Sequence, residues 1–576
     1  MNSLFRRKPV RPEQFRPGAF CGVWGVPEPG EALRRLGVEP VWQEGRAAFG
    51  GAPVWEDRTG EIVLSGDIYL ANAAELRASA DSPEAEPGEL LADLIRCHGR
   101  DAGLHALGMF AGAAYDRRSG ELILFRDGPG ARTLYYAGDG RDACWFAARL
   151  HILRRCPAVS RTISLPALQH YLTCAFVPGE QTLWHDVREL APGTVRALPG
   201  GASHTFWEPR EGDWDPEEPP ESCAQRLRPL LEDAVSRVLP ASGPVGVFLS
   251  GGLDSSLVAA LAKRQSTGPV HTFAVHFGSE HRNELEFSSM VAAHCGTRHH
   301  ILELPGKLIR EHLFESVALL DDPIGDPLTT PNLLLARAAS QETNVVLNGE
   351  GGDPCFGGPK NLPMILHNLY GQSEACESAY LRSFQKCYDD LPRLLTPDVK
   401  AALKDSHPET LFTPFFDPNH MRSYLNRLMW LNVRLKGADH ILTKVSNLST
   451  AVGLLAHSPL FDRRIVDMSF AIPPDYKLTG VTEKAILKRA VADLLPEAIL
   501  TRPKSGMLVP VQSWFRKELK SFARAHLLDR RARTQPYFNQ AVVREWLDYE
   551  GCLFPRHGVK LWLLLTLELW LRAQEG

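Results

Sequence analysis

Residues 245–256 read Val-Gly-Val-Phe-Leu-Ser-Gly-Gly-Leu-Asp-Ser-Ser. The apolar, β-branched run Val245 to Leu249 predicts a buried strand, and Ser256-Leu-Val-Ala-Ala-Leu-Ala-Lys-Arg264 predicts a helix. The loop Ser250-Gly251-Gly252-Leu253-Asp254-Ser255 joins them. Its two glycines let the backbone approach an anion closely. Free N–H groups at the helix start, reinforced by the helix dipole, favour phosphate there. A carboxylate in such a loop repels phosphate unless a divalent cation lies between, so Asp254 implies Mg2+. The stretch matches neither G-x-x-x-x-G-K-[ST] nor G-x-G-x-x-G. The alternative is an ordinary Gly-rich strand-to-helix turn.

Working outward, strand and helix signals alternate. They are the strand His271–Phe277, a helix over 284–295, a helix over 331–341 and the strand Asn344–Leu347. That alternation predicts a doubly wound parallel sheet with its ligand crevice beyond the carboxyl ends of the strands. A second loop, Asn348-Gly349-Glu350-Gly351-Gly352-Asp353, follows the strand at 344–347. Alone it is also readable as a Gly-rich turn. Paired with the first loop, it places Asp353 to meet Asp254 across the crevice and share a cation. From about residue 360 onward the pattern is mostly helical.

The first ~205 residues differ in texture. Short strand signals such as Glu61-Ile-Val-Leu-Ser-Gly66, Met109–Tyr115 and Glu121–Phe125 alternate with Gly, Asp and Pro. The acidic, Pro-rich run Glu208 to Glu221 then breaks all periodicity, as an interdomain linker does.

Composition narrows the class. A chain of 576 residues implies two to four domains. A net charge of −4 offers no general attraction for nucleic acid. The basic start (Arg6, Arg7, Lys8, Arg11) carries Pro9 and Pro12 and no apolar core, so it reads as a loose arm rather than a signal peptide. The longest apolar stretch, Leu561 to Leu571, is interrupted by Glu568 and is too short to span a bilayer. Eleven cysteines without CxxC pairs fit a reducing cytoplasm, and neither a disulfide framework nor a structural zinc site is expected. His294, Cys295, His299 and His300 are the one metal-like cluster in the sequence, and their spacing suits no standard site.

The first loop resembles the pyrophosphate loop of ATP pyrophosphatases, which cleave ATP between the α and β phosphates. With both loops in hand, the chain resembles the asparagine synthetase superfamily over nearly its whole length. The matching stretches in the second half are Leu249–Ser256, Asp322-Pro-Ile-Gly-Asp-Pro327, Gly349–Asp353 with Phe356-Gly-Gly358, Ser458–Arg463, Arg502-Pro-Lys-Ser-Gly506 and Leu567–Arg572. In the first half, Gly66-Asp-Ile-Tyr69, Gly108-Met-Phe110, Arg126-Asp127, Leu134-Tyr-Tyr136 and Val177-Pro-Gly179 resemble the family's glutamine amidotransferase domain.

The resemblance implies an α/β protein. It has an Ntn-type α-β-β-α sandwich at 1–207, a linker at 208–222 and a synthetase-like ATP pyrophosphatase domain at 223–576, with a largely helical C-terminal part. It further implies ATP and Mg2+, with the cation at Asp254 and Asp353 and the phosphates cradled by Ser250, Gly251, Gly252, Asp254 and Ser255. Val275 and the backbones near Leu249 and Gly349 would meet adenosine. Lys504 matches the mobile-loop lysine that steadies developing negative charge, and Glu350 matches the acid that takes a proton from the attacking amine.

Most departures from the family pattern lie in the first half, while Pro354-Cys355, just after the second loop, replaces an acid and an aliphatic residue and implies a reshaped acceptor pocket. Glutamine hydrolysis in the first half needs an N-terminal cysteine whose free amine serves as base. Cys21-Gly-Val-Trp-Gly25 resembles that start, but residues precede it. The Arg-Gly-Pro-Asp substrate loop is missing, Ser65-Gly66 replaces Asn-Gly, and Leu104-His105-Ala106 stands where a substrate carboxylate is expected. A degenerate glutaminase is therefore expected, with the amine supplied otherwise.

Relatives without the cysteine include β-lactam synthetases, carbapenam synthetases and lasso peptide cyclases. The first use a tyrosine where this chain has Glu350. A lasso peptide cyclase, closing an isopeptide bond in a precursor peptide, is the leading expectation, and a leader peptidase and leader-recognition protein are its implied partners. An ammonia-dependent asparagine synthetase is the alternative, and a non-enzymatic scaffold is disfavoured. Neither nucleic acid nor membrane is expected as a partner.

Overall fold

A computed structural model describes residues 19–215, 217–358, 361–371, 374–480, 482–502, 507–549 and 557–575. The basic arm and Lys504 lie outside the described residues.

The first half is a sandwich of two six-stranded antiparallel sheets. In one, Cys21–Trp24 lies between Ala47–Gly50 and Cys144–Ala147. In the other, Ile62–Leu70 pairs along its full length with Gly108–Asp116, which in turn pairs with Leu122–Arg126. Successive side chains of a strand point to opposite faces, which sorts the residues into layers. Phe20 and Trp24 meet Phe49, Phe146, Leu122 and Leu124 between the sheets. Cys21 and Val23 pack instead with Leu33 and Leu36, from and just beyond the helix Pro29–Arg35 on the outer face. Helix Pro87–His98 covers the second sheet and packs on Ile62–Leu70.

The second half is built on a five-stranded parallel sheet. Its strands stand in the order Arg298–Glu303, Val270–His276, Val245–Phe248, Val345–Leu347, Leu455–His457. The strand order reverses beside Val245–Phe248, so a crevice opens beyond the carboxyl ends of this strand and its neighbour Val345–Leu347. Both Gly-rich loops emerge there. Helix Leu253–Gln265 is buried without interruption from Leu253 to Ala262, which its apolar circumference requires. Strands Arg298–Glu303 and Leu455–His457 carried no readable signal. The first is an edge strand bearing polar side chains, and the second spans three residues.

The closing helix His557–Ala573 is core. Its Glu568 is fully buried and accepts hydrogen bonds from the backbone N–H and Oγ1 of Thr534, each at 2.9 Å. No described helix is long and apolar enough to cross a membrane. Polar contacts hold the halves together. Arg149 pairs with buried Asp321 at 3.0 Å, and both carboxylate oxygens of Asp322 accept from the Leu183 N–H at 3.1 Å. The acidic connecting run is pinned as well. Glu211 accepts from the N–H groups of Arg422 and Ser423 and from Asn426 Nδ2.

Candidate functional site: two glycine loops at the strand-order switch

The first loop turns from strand to helix through Gly251, whose φ is +78°. A side chain there is excluded twice, by that backbone conformation and because a Cβ would lie 2.5 Å from the Ser288 nitrogen. Ser255 Oγ lies 3.0 Å from Ser250 Oγ and accepts from the Ser250 N–H at 3.2 Å. The loop thus closes on itself around the start of helix Leu253–Gln265, where free N–H groups gather. Arg502 holds it from outside. Its guanidinium donates to Gly251 O at 3.0 Å, pairs with Glu284 and stacks 3.8 Å over the Phe287 ring.

The second loop abuts the first. A Cβ on Gly349 would lie 2.4 Å from the Ser255 nitrogen, and one on Gly352 would lie 2.1 Å from Asp254 Oδ1. The Asp254 carboxylate therefore rests on the bare backbone of Gly352. Likewise, a Cβ on Gly358 would meet Asp353 Oδ1 at 2.6 Å. Glu350 lies three residues beyond the strand end, and its N–H donates to Asn348 Oδ1 at 3.0 Å.

Asp254 and Asp353 are joined by Lys484, whose Nζ forms an ion pair with each carboxylate. The Lys484 side chain is 1% exposed. Its backbone is in the left-handed region, with φ of +54°, at the start of helix Ala485–Ala490. A non-glycine residue held there stores strain that the surrounding structure must impose. No periodicity or spacing singles Lys484 out from the other lysines of the chain. Only the fold brings it to the two loops.

The acidic pair, all oxygen donors, fits Mg2+, a hard cation. The Lys484 ammonium already gathers positive charge between the two carboxylates.

Beside the loops lies a pocket lined by Ser250, Val275, Phe277, Leu285, Ser288 and Met507, among others. Its apolar walls next to a phosphate-type loop suit the base and sugar of a nucleotide. Leu249 and Gly349 do not line it. Leu249 is buried in the sheet, with its N–H bonded to Phe273 O at 2.8 Å, and Gly349 packs on the helix start. The histidines and cysteine that stand close in sequence near residue 295 are dispersed, as a spacing that suits no standard site implies. His294 faces Leu494 O and His299 faces Thr272, while His300 joins His271 and Glu342.

In the first half, Cys21 is fully buried, and burial pushes its thiol up to about 12. Its nitrogen is acylated by Phe20, and Ser65 Oγ donates to Pro53 O.

An Ntn-type sandwich followed by a parallel sheet with paired loops at its switch point defines a two-part ATP-dependent amide-forming ligase. The chain belongs to the asparagine synthase family. The family's asparagine synthase domain matches residues 226–572, and a glutamine amidotransferase domain matches residues 35–207. The chain is 26% identical to asparagine synthetase [glutamine-hydrolyzing] 1 of Bacillus subtilis, covering 94% of this chain and 89% of that one. It is 28% identical to a putative asparagine synthetase [glutamine-hydrolyzing] of Mycobacterium tuberculosis, covering 93% and 88%. Among solved structures, the NH3-dependent NAD synthetase of Campylobacter jejuni aligns with a TM-score of 0.19 and 17% identity, covering 34% of this chain and 97% of that one.

Proposed function

We propose that the chain activates a carboxylate as its adenylate and joins it to an amine carried by the same molecule, closing an isopeptide ring in a precursor peptide. The observation that carries this reading is the Asp254–Lys484–Asp353 cluster beside an apolar-walled pocket, coupled to a first half whose cysteine is buried.

The chemistry follows from the residues. The substrate carboxylate attacks the α-phosphorus of ATP, the Pα–O bond to the β-phosphate breaks, and pyrophosphate leaves. Helix Leu253–Gln265 presents its N–H groups to the phosphates, and Gly251 and Gly252 allow their close approach. Asp254 and Asp353 would hold Mg2+, which supplies charge neutralisation to the phosphates. Lys484 is placed to meet negative charge that develops beside the two loops, a role a positioned cation fills strongly in a dry site. The amine then attacks the adenylate carbonyl, loses a proton to Glu350, and the C–O bond to AMP breaks. The net change in the substrate is the loss of one water. Lys504, outside the described residues, remains a proposed second cation for the same charge.

Loss of glutamine hydrolysis is supported by three features. The Cys21 thiol is buried, its nitrogen lies in a peptide bond, and Leu104-His105-Ala106 offers no carboxylate. With ammonia from glutamine removed, the amine comes with the substrate. A leader peptidase and a leader-recognition protein would be the pathway partners, in the cytoplasm. A second reading, ammonia-dependent asparagine synthesis, is favoured by Glu350, while the relatives' names point to asparagine synthesis with glutamine as the nitrogen source.

The experiment incubates the purified chain with ATP, Mg2+ and a synthetic peptide bearing a free N-terminal amine and an internal Asp or Glu. Loss of one water with release of AMP is expected. Asparagine formed from aspartate and ammonium, with no peptide product, would overturn the cyclase reading.

A further inference from the structure

We infer that His271, His300 and Glu342 form a binding site for a first-row divalent cation of the Zn2+ type, at the opposite end of the parallel sheet from the nucleotide loops. His271 is the second residue of the strand Val270–His276, and His300 lies on the edge strand Arg298–Glu303. Glu342 lies in the turn between helix Thr329–Ala339 and strand Val345–Leu347. Three segments distant in sequence thus deliver two imidazoles and one carboxylate to one point.

The spacing fits a metal. His271 Nδ1 stands 3.0 Å from His300 Nε2 and 3.5 Å from Glu342 Oε2, and all three ligand atoms lie within 4.8 Å of one another. Donors about 2.0–2.1 Å from a tetrahedral ion lie about 3.3 Å apart, so these separations bracket a tetrahedral edge. The rings are held in place. His300 stacks on Phe273 with centroids 4.8 Å apart and planes 14° apart, and His271 lies within 12° of the His300 plane. His271 is 3% exposed.

Two imidazoles and a carboxylate select a borderline cation over Mg2+ or Ca2+. Glu342 is 40% exposed on its side chain, which leaves the fourth position to water. Arg298, the cross-strand partner of His271, is the neighbouring cation, and it is exposed, so solvent screens it. The bound ion would clip the edge strand to the turn that precedes the Glu350–Asp353 loop.

The test uses the full chain, stripped of metal and held in excess Mg2+ to occupy oxygen-ligand sites. Titration with Co2+ is expected to give visible d–d absorption that saturates at one ion per chain and is displaced by Zn2+. Zn2+ is expected to raise Tm by about 2–4 °C. Glu342→Gln, a surface change that leaves the packing intact, and His300→Gln should each weaken the Co2+ site at least ~10-fold and abolish the Tm rise. If either variant titrates and melts like the parent, the site is refuted, and the two histidines are simply hydrogen-bonded neighbours.

Discussion

Lys484 and Asp254, 230 residues apart, form a buried ion pair at the mouth of the sheet, and the same ammonium also reaches Asp353. The cluster turns two separate loops into one site. It also supplies the cation that two adjacent carboxylates need before any nucleotide arrives.

Replacing Lys484 by Met keeps the side-chain volume and removes the charge. Substrate-dependent exchange of labelled pyrophosphate into ATP is expected to fall by about 10²–10³-fold, with no rescue by Lys484→Arg, whose planar fork does not fit a point-charge position. Exchange within threefold of the parent would remove Lys484 from the reaction.

Gly352→Ala places a methyl group where Asp254 Oδ1 now lies, 2.1 Å away. The carboxylate must move, so pyrophosphate exchange should drop at least ~10-fold. Far-ultraviolet circular dichroism should stay unchanged, which separates site displacement from unfolding.

Arg502→Ala removes the bond to Gly251 O, the Glu284 pair and the Phe287 stack. Loosening the phosphate loop should raise KM for ATP by about 10-fold, a cost of ~1–2 kcal/mol for a charged hydrogen bond. A change confined to kcat would contradict a positioning role.

Cys21→Ala should leave synthetase activity unchanged, and the parent should release no glutamate from glutamine. The buried thiol, pushed up to about 12, should also resist alkylation at neutral pH in the native state. Glutamine hydrolysis lost on this substitution would show that the first half is active.

His457 ends the strand Leu455–His457 and is 3% exposed. Burial first, and the Arg132 charge second, lower its pKa from 6.5 to about 3. Below pH 6.5 the unfolded chain takes up a proton there that the folded chain refuses. Its contribution is therefore fully present above pH 6.5 and lost as pH falls toward 3. Denaturant titrations between pH 7 and pH 4 should show a slope that flattens by up to ~1.4 kcal/mol per pH unit in His457→Gln.

The two-part organisation and the parallel sheet were legible before any contact was known, because β-branched runs and Gly-rich turns act locally. The sequence also marked Ser250–Ser255 and Gly349–Asp353 as partners, since glycines and an acid after a strand carry a chemical meaning without any contact. Lys484 emerged only from the folded chain, because no sequence pattern marks it and its role exists only across 230 residues. The same holds for His271, His300 and Glu342. Grouping histidines by sequence proximity joined His299 to His300, yet adjacent residues of a strand face opposite sides of the sheet. Sites assembled by sheet order have no sequence period, and their geometry appears only when the strands are laid side by side.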